Sequence, residues 1–225
     1  SFIMYLSHKY KFLFLRTPKT ASSSLSDFFI RNVDDPNAIY TEVEDSKLPG
    51  TLNEAIVGKY RPYAFYHFTL NQLIDENIIT EQQAREYDIF ALLRNPVDRQ
   101  KSMYYFFKKF KSPLTSASLD EYKSWTRNGV FKNEANSAIR QTSLCKIGDQ
   151  PVGRYWLYEN LEEELFQFLY DRKIEVTYPL PQHKSGIRKS RKNEIGFDDA
   201  AMTDLRRHFK EDFEMYERLT NGPIS

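Results

Sequence analysis

The chain has 225 residues, 40% of them hydrophobic and 28% charged, as in soluble globular proteins. Its 32 lysines and arginines against 31 aspartates and glutamates give a net charge of +1, which argues against a general nucleic-acid or membrane-surface binder. A single cysteine excludes a disulfide within the chain and predicts a reducing compartment, the cytoplasm. No apolar run is long enough to span a membrane. No repeat or linker is visible, so one domain over residues 1–225 is expected.

Strand-like and helix-like segments alternate along the chain. In chain order the predictions are a strand at 11–16, a helix at 22–33, irregular chain at 34–62, a strand at 63–68, a helix at 80–87, a strand at 88–94, helices at 97–110, 118–128 and 131–144, a strand at 154–160, a helix capped by Asn160, a charged loop at 178–196 and an amphipathic helix at 198–219. Strands separated by helices predict an α/β fold, a three-layer sandwich with a central parallel sheet.

The loop TPKTASSS (17–24), between the first strand and its helix, has the composition of an anion site. A helix N-terminus presents unpaired N–H groups, and small side chains let a phosphate approach the backbone. Lys19 adds a full positive charge beside the small residues 21–24. The glycines of the nucleoside-triphosphate P-loop are absent, which argues against an ATPase or GTPase. The alternative is a serine-capped helix next to a solvated lysine.

A second segment, LLRNPVDRQKSMYYFF (92–107), carries another candidate anion site. Arg94 follows a predicted strand, at the edge where open α/β sheets bind ligands. Asn95-Pro96 ends the strand, and the next helix places Ser102 two turns further on. A guanidinium and a hydroxyl suit a phosphate separate from the first. Alone, the two residues could equally be a surface arginine and an ordinary helix serine.

Together, PKTASSSL and LLRNPVDRQKSMYYFF resemble the two cofactor motifs of sulfotransferases that use 3′-phosphoadenosine 5′-phosphosulfate (PAPS). The resemblance is greatest to the carbohydrate branch, typified by heparan sulfate 2-O-sulfotransferase, and it extends to YENLEEEL and DFEMYERL. It implies a P-loop-like strand-loop-helix and transfer of a sulfuryl group to a hydroxyl, with the nucleotide product PAP. The implied PAPS-binding residues are Lys19, Thr20, Ala21, Ser22, Ser23, Ser24, Arg94, Ser102, Lys184, Ser185 and Arg188.

His67, in YAFYHFTLNQL, is the candidate general base. Imidazole titrates near neutrality and can take the proton that an acceptor hydroxyl loses as it attacks sulfur. The carbohydrate branch has a similar histidine here, although the heparan enzyme has a second one where this chain has Thr69. Other branches use a carboxylate instead, for which Glu54, Asp75 and Glu76 are candidates. A lone histidine at a strand end can also be structural.

The loop PQHKSGIRKSRKNE (181–194) is rich in basic residues, which in most proteins marks a solvated loop. It is similar to the late basic loop that closes over the nucleotide in the family, and this similarity assigns Lys184, Ser185 and Arg188 to the 3′-phosphate or the adenine. A second use would be binding of an anionic acceptor. Cys145 is expected to be a buried or incidental thiol, because nothing near it in the sequence marks a nucleophile.

The function expected is therefore that of a PAPS-dependent sulfotransferase acting on a hydroxyl-bearing glycan or small molecule, with no metal and no nucleic-acid partner. Two alternatives remain. One is a kinase-like phosphotransferase that uses ATP, and the other is an inactive nucleotide-binding module. A trimmed Golgi-lumenal domain is the alternative to a cytoplasmic protein, and the oligomeric state is not predicted.

Overall fold

The computed structural model describes residues 2–20, 22–42, 68–131, 139–180 and 194–224. Its strands are β1 (Phe2–Ser7), β2 (Phe12–Leu15), β3 (Ile39–Glu42), β4 (Asp88–Leu93), β5 (Lys146–Ile147), β6 (Gln150–Pro151) and β7 (Arg154–Leu157). Its α-helices are α1 (Ser22–Asn32), α2 (Leu70–Asp75), α3 (Glu81–Glu86), α4 (Pro96–Lys111), α5 (Leu119–Trp125), α6 (Leu161–Arg172), α7 (Asp199–His208) and α8 (Lys210–Thr220). No helix in these ranges is long and apolar enough to cross a bilayer.

One sheet organises the described residues, with strand order β3-β1-β2-β4-β7. Strands β2, β4 and β7 are parallel, which confirms the expected parallel sheet at its centre. Strands β1 and β3 add an antiparallel edge that the sequence did not predict. The turn at 8–11 joins β1 to β2, and so short a connection permits only antiparallel pairing.

Alternating side chains of the strands face two cores, one on each side of the sheet. Leu13 and Leu15 face the side covered by α2 and α3, whereas Phe12 and Phe14 face α1 and α6. On the second side the Phe90 and Trp156 rings stack with their centroids 4.2 Å apart. Helices on both faces of a central sheet confirm the three-layer α/β sandwich.

The two helix caps predicted from the sequence, Thr80 and Asn160, differ in outcome. Thr80 caps α3 as expected, because its hydroxyl accepts from the backbone N–H of Gln83, whose side chain accepts in return from the Thr80 N–H. Asn160 occupies the N-cap position of α6 but makes no side-chain cap bond. The predicted strand at 154–160 ends at Leu157, and residues 158–160 form a 3₁₀ turn that leads directly into the helix.

The long amphipathic helix expected at 198–219 is two helices, α7 and α8. They meet at the buried Phe209, whose φ of −108° and ψ of 35° interrupt the α-helix. Neither glycine nor proline marks the break in the sequence. Leu205, Phe209 and Phe213 pack in one buried cluster across this break. Of the helix predicted at 131–144, residues 141–143 form a 3₁₀ turn instead, and 132–138 lie outside the described residues.

Candidate functional site

The parallel strands β2, β4 and β7 end side by side at one edge of the sheet. Lys19, Arg94 and Tyr158 follow these three strands, and we call the region that they form the carboxyl edge. Open α/β sheets bind their ligands outside the carboxyl ends of the strands. The fold therefore brings together two basic residues that lie 75 residues apart in the sequence.

Two buried threonines hold the loop that follows β2. The Thr17 hydroxyl donates to the carbonyl of Leu92 in β4 at 2.7 Å, and the Thr20 hydroxyl donates to the Thr17 carbonyl at 2.8 Å. Both residues have no solvent exposure. The Thr20 side chain thus stabilises the loop itself, which agrees with a predicted role in PAPS binding through the backbone amide.

Lys19 lies at the turn of this loop in a left-handed backbone conformation, with φ of 62°. That conformation costs a residue with a side chain about 1–2 kcal/mol, and such strain clusters at functional sites. The Lys19 carbonyl accepts a hydrogen bond from Nη1 of Arg94 at 2.7 Å, which compensates part of this cost. The Lys19 ammonium lies 4.4 Å from the ring centroid of Phe106, a cation–π contact.

Arg94 is held from three sides and is only 7% exposed. Its guanidinium donates to Lys19 and lies 4.9 Å from the ring centroid of Tyr158. Its backbone N–H donates to Oε1 of Gln141, and its carbonyl accepts from Nε2 of the same side chain, both at 2.9 Å. A carbonyl, an amide and an aromatic ring carry no net charge, so these contacts orient Arg94 without cancelling its positive charge.

Ser102 is half-buried on α4, which starts directly after Arg94. The Asn95 side chain caps this helix by accepting from the backbone N–H of Val97 at 2.9 Å, with Pro96 in the first turn as expected. Ser102 lies one helical turn before Phe106, so both occupy the same face of α4. The contact of Phe106 with the lysine of the first loop therefore directs the Ser102 face toward that loop.

Two functional candidates were missed by sequence reasoning, Gln141 and Asp212, and neither has any solvent exposure. Oδ2 of Asp212 accepts from the Gln141 backbone N–H at 2.8 Å. Oδ1 accepts from the Thr142 backbone N–H at 3.0 Å and from its hydroxyl at 2.7 Å. The sequence offered one indication that Asp212 could be buried, because this charged residue lies at helical spacing from the apolar Phe209. Gln141 had none.

A second buried arginine, Arg99, lies behind this network. It is 1% exposed, its Nη2 donates to the Ile139 carbonyl at 2.6 Å, and its guanidinium is 5.3 Å from the Phe209 ring centroid. Burial lowers the pKa of Arg99 to about 10, the Asp212 carboxylate opposes that shift, and the charge of Arg94 adds to it. The group stays charged at neutral pH and balances the buried carboxylate.

The structure describes some of the other residues that the sequence predicted for the site, and the rest lie outside the described ranges. Ser24 is half-buried in the first turn of α1, a turn without an acidic side chain. Ser22 and Ser23 open that helix, and Asp75 and Glu76 lie at the end of α2. Outside the described residues lie Ala21, Glu54, His67, Lys184, Ser185 and Arg188. The part of the site that the structure describes thus comprises most of the two candidate anion-binding segments, 17–24 and 92–107.

The single cysteine, Cys145, is buried. Burial raises the pKa of the Cys145 thiol to about 12, so the expected buried thiol is confirmed and it is no nucleophile at neutral pH.

A cavity of about 530 Å³ lies between α5 and α7 and is lined by basic residues that include Arg127, Arg140 and Arg207. Among the residues that the structure describes, no predicted PAPS-binding residue lines it. Within the described ranges no group of three or more His, Cys, Asp or Glu could hold a metal ion.

Comparison with known proteins bears on this arrangement. A family model described as "Sulfotransferase family" matches residues 4–217, a range that includes both loops, the strands between them and most of α8. No curated protein and no solved structure matches the chain. The match covers nearly the whole chain, and the five-stranded α/β sandwich agrees with it. The chain belongs to the sulfotransferase family.

Proposed function

We propose that this protein transfers a sulfuryl group from PAPS to a hydroxyl acceptor, giving PAP and a sulfate ester. Membership of the family supports sulfuryl transfer. The observation that carries the choice of donor is the 2.7 Å hydrogen bond from Arg94 to the carbonyl of Lys19. It joins the two anion-binding segments into one site with two cations on separate loops.

PAPS carries anionic groups on both sides of its ribose, and the residues present suit such a molecule. Lys19 and the backbone amides of 20–24 would hold the 5′-phosphosulfate at the start of α1. Arg94 and Ser102 would hold the 3′-phosphate. A guanidinium has five N–H donors, so its bond to the Lys19 carbonyl leaves donors for a phosphate. The neutral contacts around Arg94 leave its charge to be balanced by the ligand.

Bound PAPS would supply the activated sulfuryl group, and the chain would supply charge, orientation and a base. The Lys19 ammonium would stabilise negative charge that develops on the oxygens during transfer. Arg94 and Ser102 would fix the nucleotide, which makes the transfer effectively intramolecular. An imidazole nitrogen of His67 would accept the proton that the acceptor hydroxyl loses, as the resemblance to the carbohydrate branch implies.

The acceptor that we propose is a sugar hydroxyl. The support is the similarity of the PKTAS-type loop and of YENLEEEL and DFEMYERL to the carbohydrate branch. Lys184, Ser185 and Arg188 would close over the nucleotide. The single cysteine supports a reducing compartment such as the cytoplasm.

The test is a transfer screen with labelled PAPS over glycans, small alcohols, phenols and peptides. We expect Lys19→Ala to lower transfer at least about 100-fold, since removing one group that stabilises transition-state charge typically costs that much. The matched control is Lys9→Ala, an exposed lysine in the turn at 8–11, which should keep normal transfer. Circular dichroism should show both variants folded.

Near-normal turnover by the Lys19 variant would exclude the role of that lysine. ATP binding that needs magnesium would point to a phosphotransferase. Thermal stabilisation by PAP without transfer to any acceptor would point to a nucleotide-binding module.

A further inference from the structure

We infer that Gln141 is a positioning residue for nucleotide binding, because its side chain fixes the backbone from which Arg94 reaches the 3′-phosphate. This inference rests on the proposed function, since it assumes that Arg94 holds that phosphate. Gln141 itself would not touch the ligand. The role follows from the position of Arg94 directly after the end of β4.

Strand β4 ends at Leu93, and the next peptide groups leave the hydrogen-bonded ladder. Arg94 is 7% exposed, so water cannot readily satisfy its backbone N–H and C=O. A buried backbone group without a hydrogen-bond partner destabilises the fold. The side-chain amide of Gln141 offers one acceptor and one donor, and it satisfies both groups at 2.9 Å. It acts as a one-residue substitute for a neighbouring strand.

This double hydrogen bond sets the direction in which the Arg94 side chain leaves the backbone. Without it the peptide could rotate, and the guanidinium would lose its bond to the Lys19 carbonyl and its place over Tyr158. A site held before the ligand arrives binds it more tightly, because less freedom is lost on binding. The amide therefore acts on the affinity for a 3′-phosphate in particular.

Asp212 fixes Gln141 in turn. Its buried carboxylate accepts from the backbone N–H groups of Gln141 and Thr142, 71 and 70 residues away in the sequence. These bonds hold the 3₁₀ turn at 141–143 against α8. One series of contacts thus runs from α8 through Gln141 and Arg94 to the Lys19 carbonyl, and it links the carboxyl-terminal helix to both anion-binding segments.

The test compares two nucleotides that differ only in the 3′-phosphate, PAP and 5′-AMP, by calorimetric binding to the full chain. The variant Gln141→Met keeps the side-chain length and removes both hydrogen bonds. We expect the preference for PAP over 5′-AMP to fall about tenfold, since displacement of Arg94 weakens its charge-assisted hydrogen bonds to the 3′-phosphate. The affinity for 5′-AMP should stay within about twofold. The control Gln167→Met, an exposed glutamine on α6, should keep both affinities.

Two further variants keep the test decisive if Gln141→Met does not fold. Gln141→Glu retains the acceptor but turns an oxygen toward the Arg94 carbonyl, and Asp212→Asn turns an amide toward a backbone N–H. Both should lower the PAP preference in the same direction. In an Arg94→Gln background, adding Gln141→Met should change that preference no further, because the two residues act through one contact.

Equal loss of both nucleotides, or an unchanged preference in folded variants, would overturn the positioning role while leaving the proposed function intact. A wild-type protein that binds 5′-AMP as tightly as PAP would contradict the proposed function, and the inference with it.

Discussion

Arginines occur at both edges of the parallel strands, and their partners differ. At the start of the strands Arg154 and Arg172 both bind the carboxylate of Asp88. Arg154 donates through Nε at 2.9 Å and Nη2 at 2.8 Å, and Arg172 donates through Nη2 at 2.7 Å. We call this the amino edge. At the carboxyl edge, Arg94 donates to a backbone carbonyl and lies over an aromatic ring.

The two edges differ in how much of the arginines' positive charge is neutralised by their partners. A carboxylate shared by two guanidiniums neutralises much of their charge and holds strands and helix together, which is a structural use. A carbonyl and a ring fix a guanidinium in place while its charge persists. The residue type therefore does not distinguish the two edges, whereas the charge of the partners does.

The largest expected contrast is between Arg94→Gln and Arg154→Gln in sulfuryl transfer. Arg94→Gln should lower kcat/KM for the nucleotide about 100-fold, because it removes charge-assisted hydrogen bonds worth about 1.5–3 kcal/mol. Arg154→Gln should stay within about twofold, because Asp88 keeps Arg172 as its partner. Steady-state kinetics at varied PAPS would measure both, and equal losses would remove the distinction between the edges.

Asp88→Asn should affect stability and not transfer. It removes the negative charge shared by two arginines, of which the Arg154 side chain is 52% exposed and the Arg172 side chain 21%. Solvent screens such pairs, so we expect a loss of about 1 kcal/mol in the free energy of unfolding. Urea denaturation would measure it, with the exposed Asp204→Asn as the control. A large fall in nucleotide affinity would show that the amino edge takes part in binding.

Phe106→Leu should have the smallest effect. It removes the ring over which the Lys19 ammonium lies, while Phe106 is 50% exposed, so the fold should tolerate the change. An exposed cation–π contact contributes about 0.5–1 kcal/mol, which predicts about a threefold fall in kcat/KM. The exposed Phe166→Leu on α6 is the matched control. No change in kinetics would mean that the ring does not orient Lys19.

The site divides into parts that the sequence could predict and parts that it could not. Lys19, Arg94 and Ser102 stand in two short motifs, and the resemblance of these motifs to the sulfotransferase family was sufficient to name them. Their roles toward a ligand remain proposals. Gln141 belongs to no motif, and its bond to Arg94 spans 47 residues. Nothing in its neighbourhood could have indicated that partner.

The fold divides in a similar way. Hydrophobic periodicity and capping residues predicted β2, β4 and the starts of α3 and α4, because these depend on neighbours within a few residues. The antiparallel strands β1 and β3 were not predicted. A short edge strand is defined by the strand with which it pairs as much as by its own residues.

By itself, the sequence determined the α/β class and membership of the sulfotransferase family, and it named the two candidate anion-binding segments. Only the tertiary structure decided that the last helix breaks at Phe209, that Asp212 becomes buried and that Gln141 holds the backbone of Arg94. The reason is physical. Caps and apolar periodicity act within one or two helical turns, whereas the partner of a buried polar group is selected by packing between segments far apart in the chain.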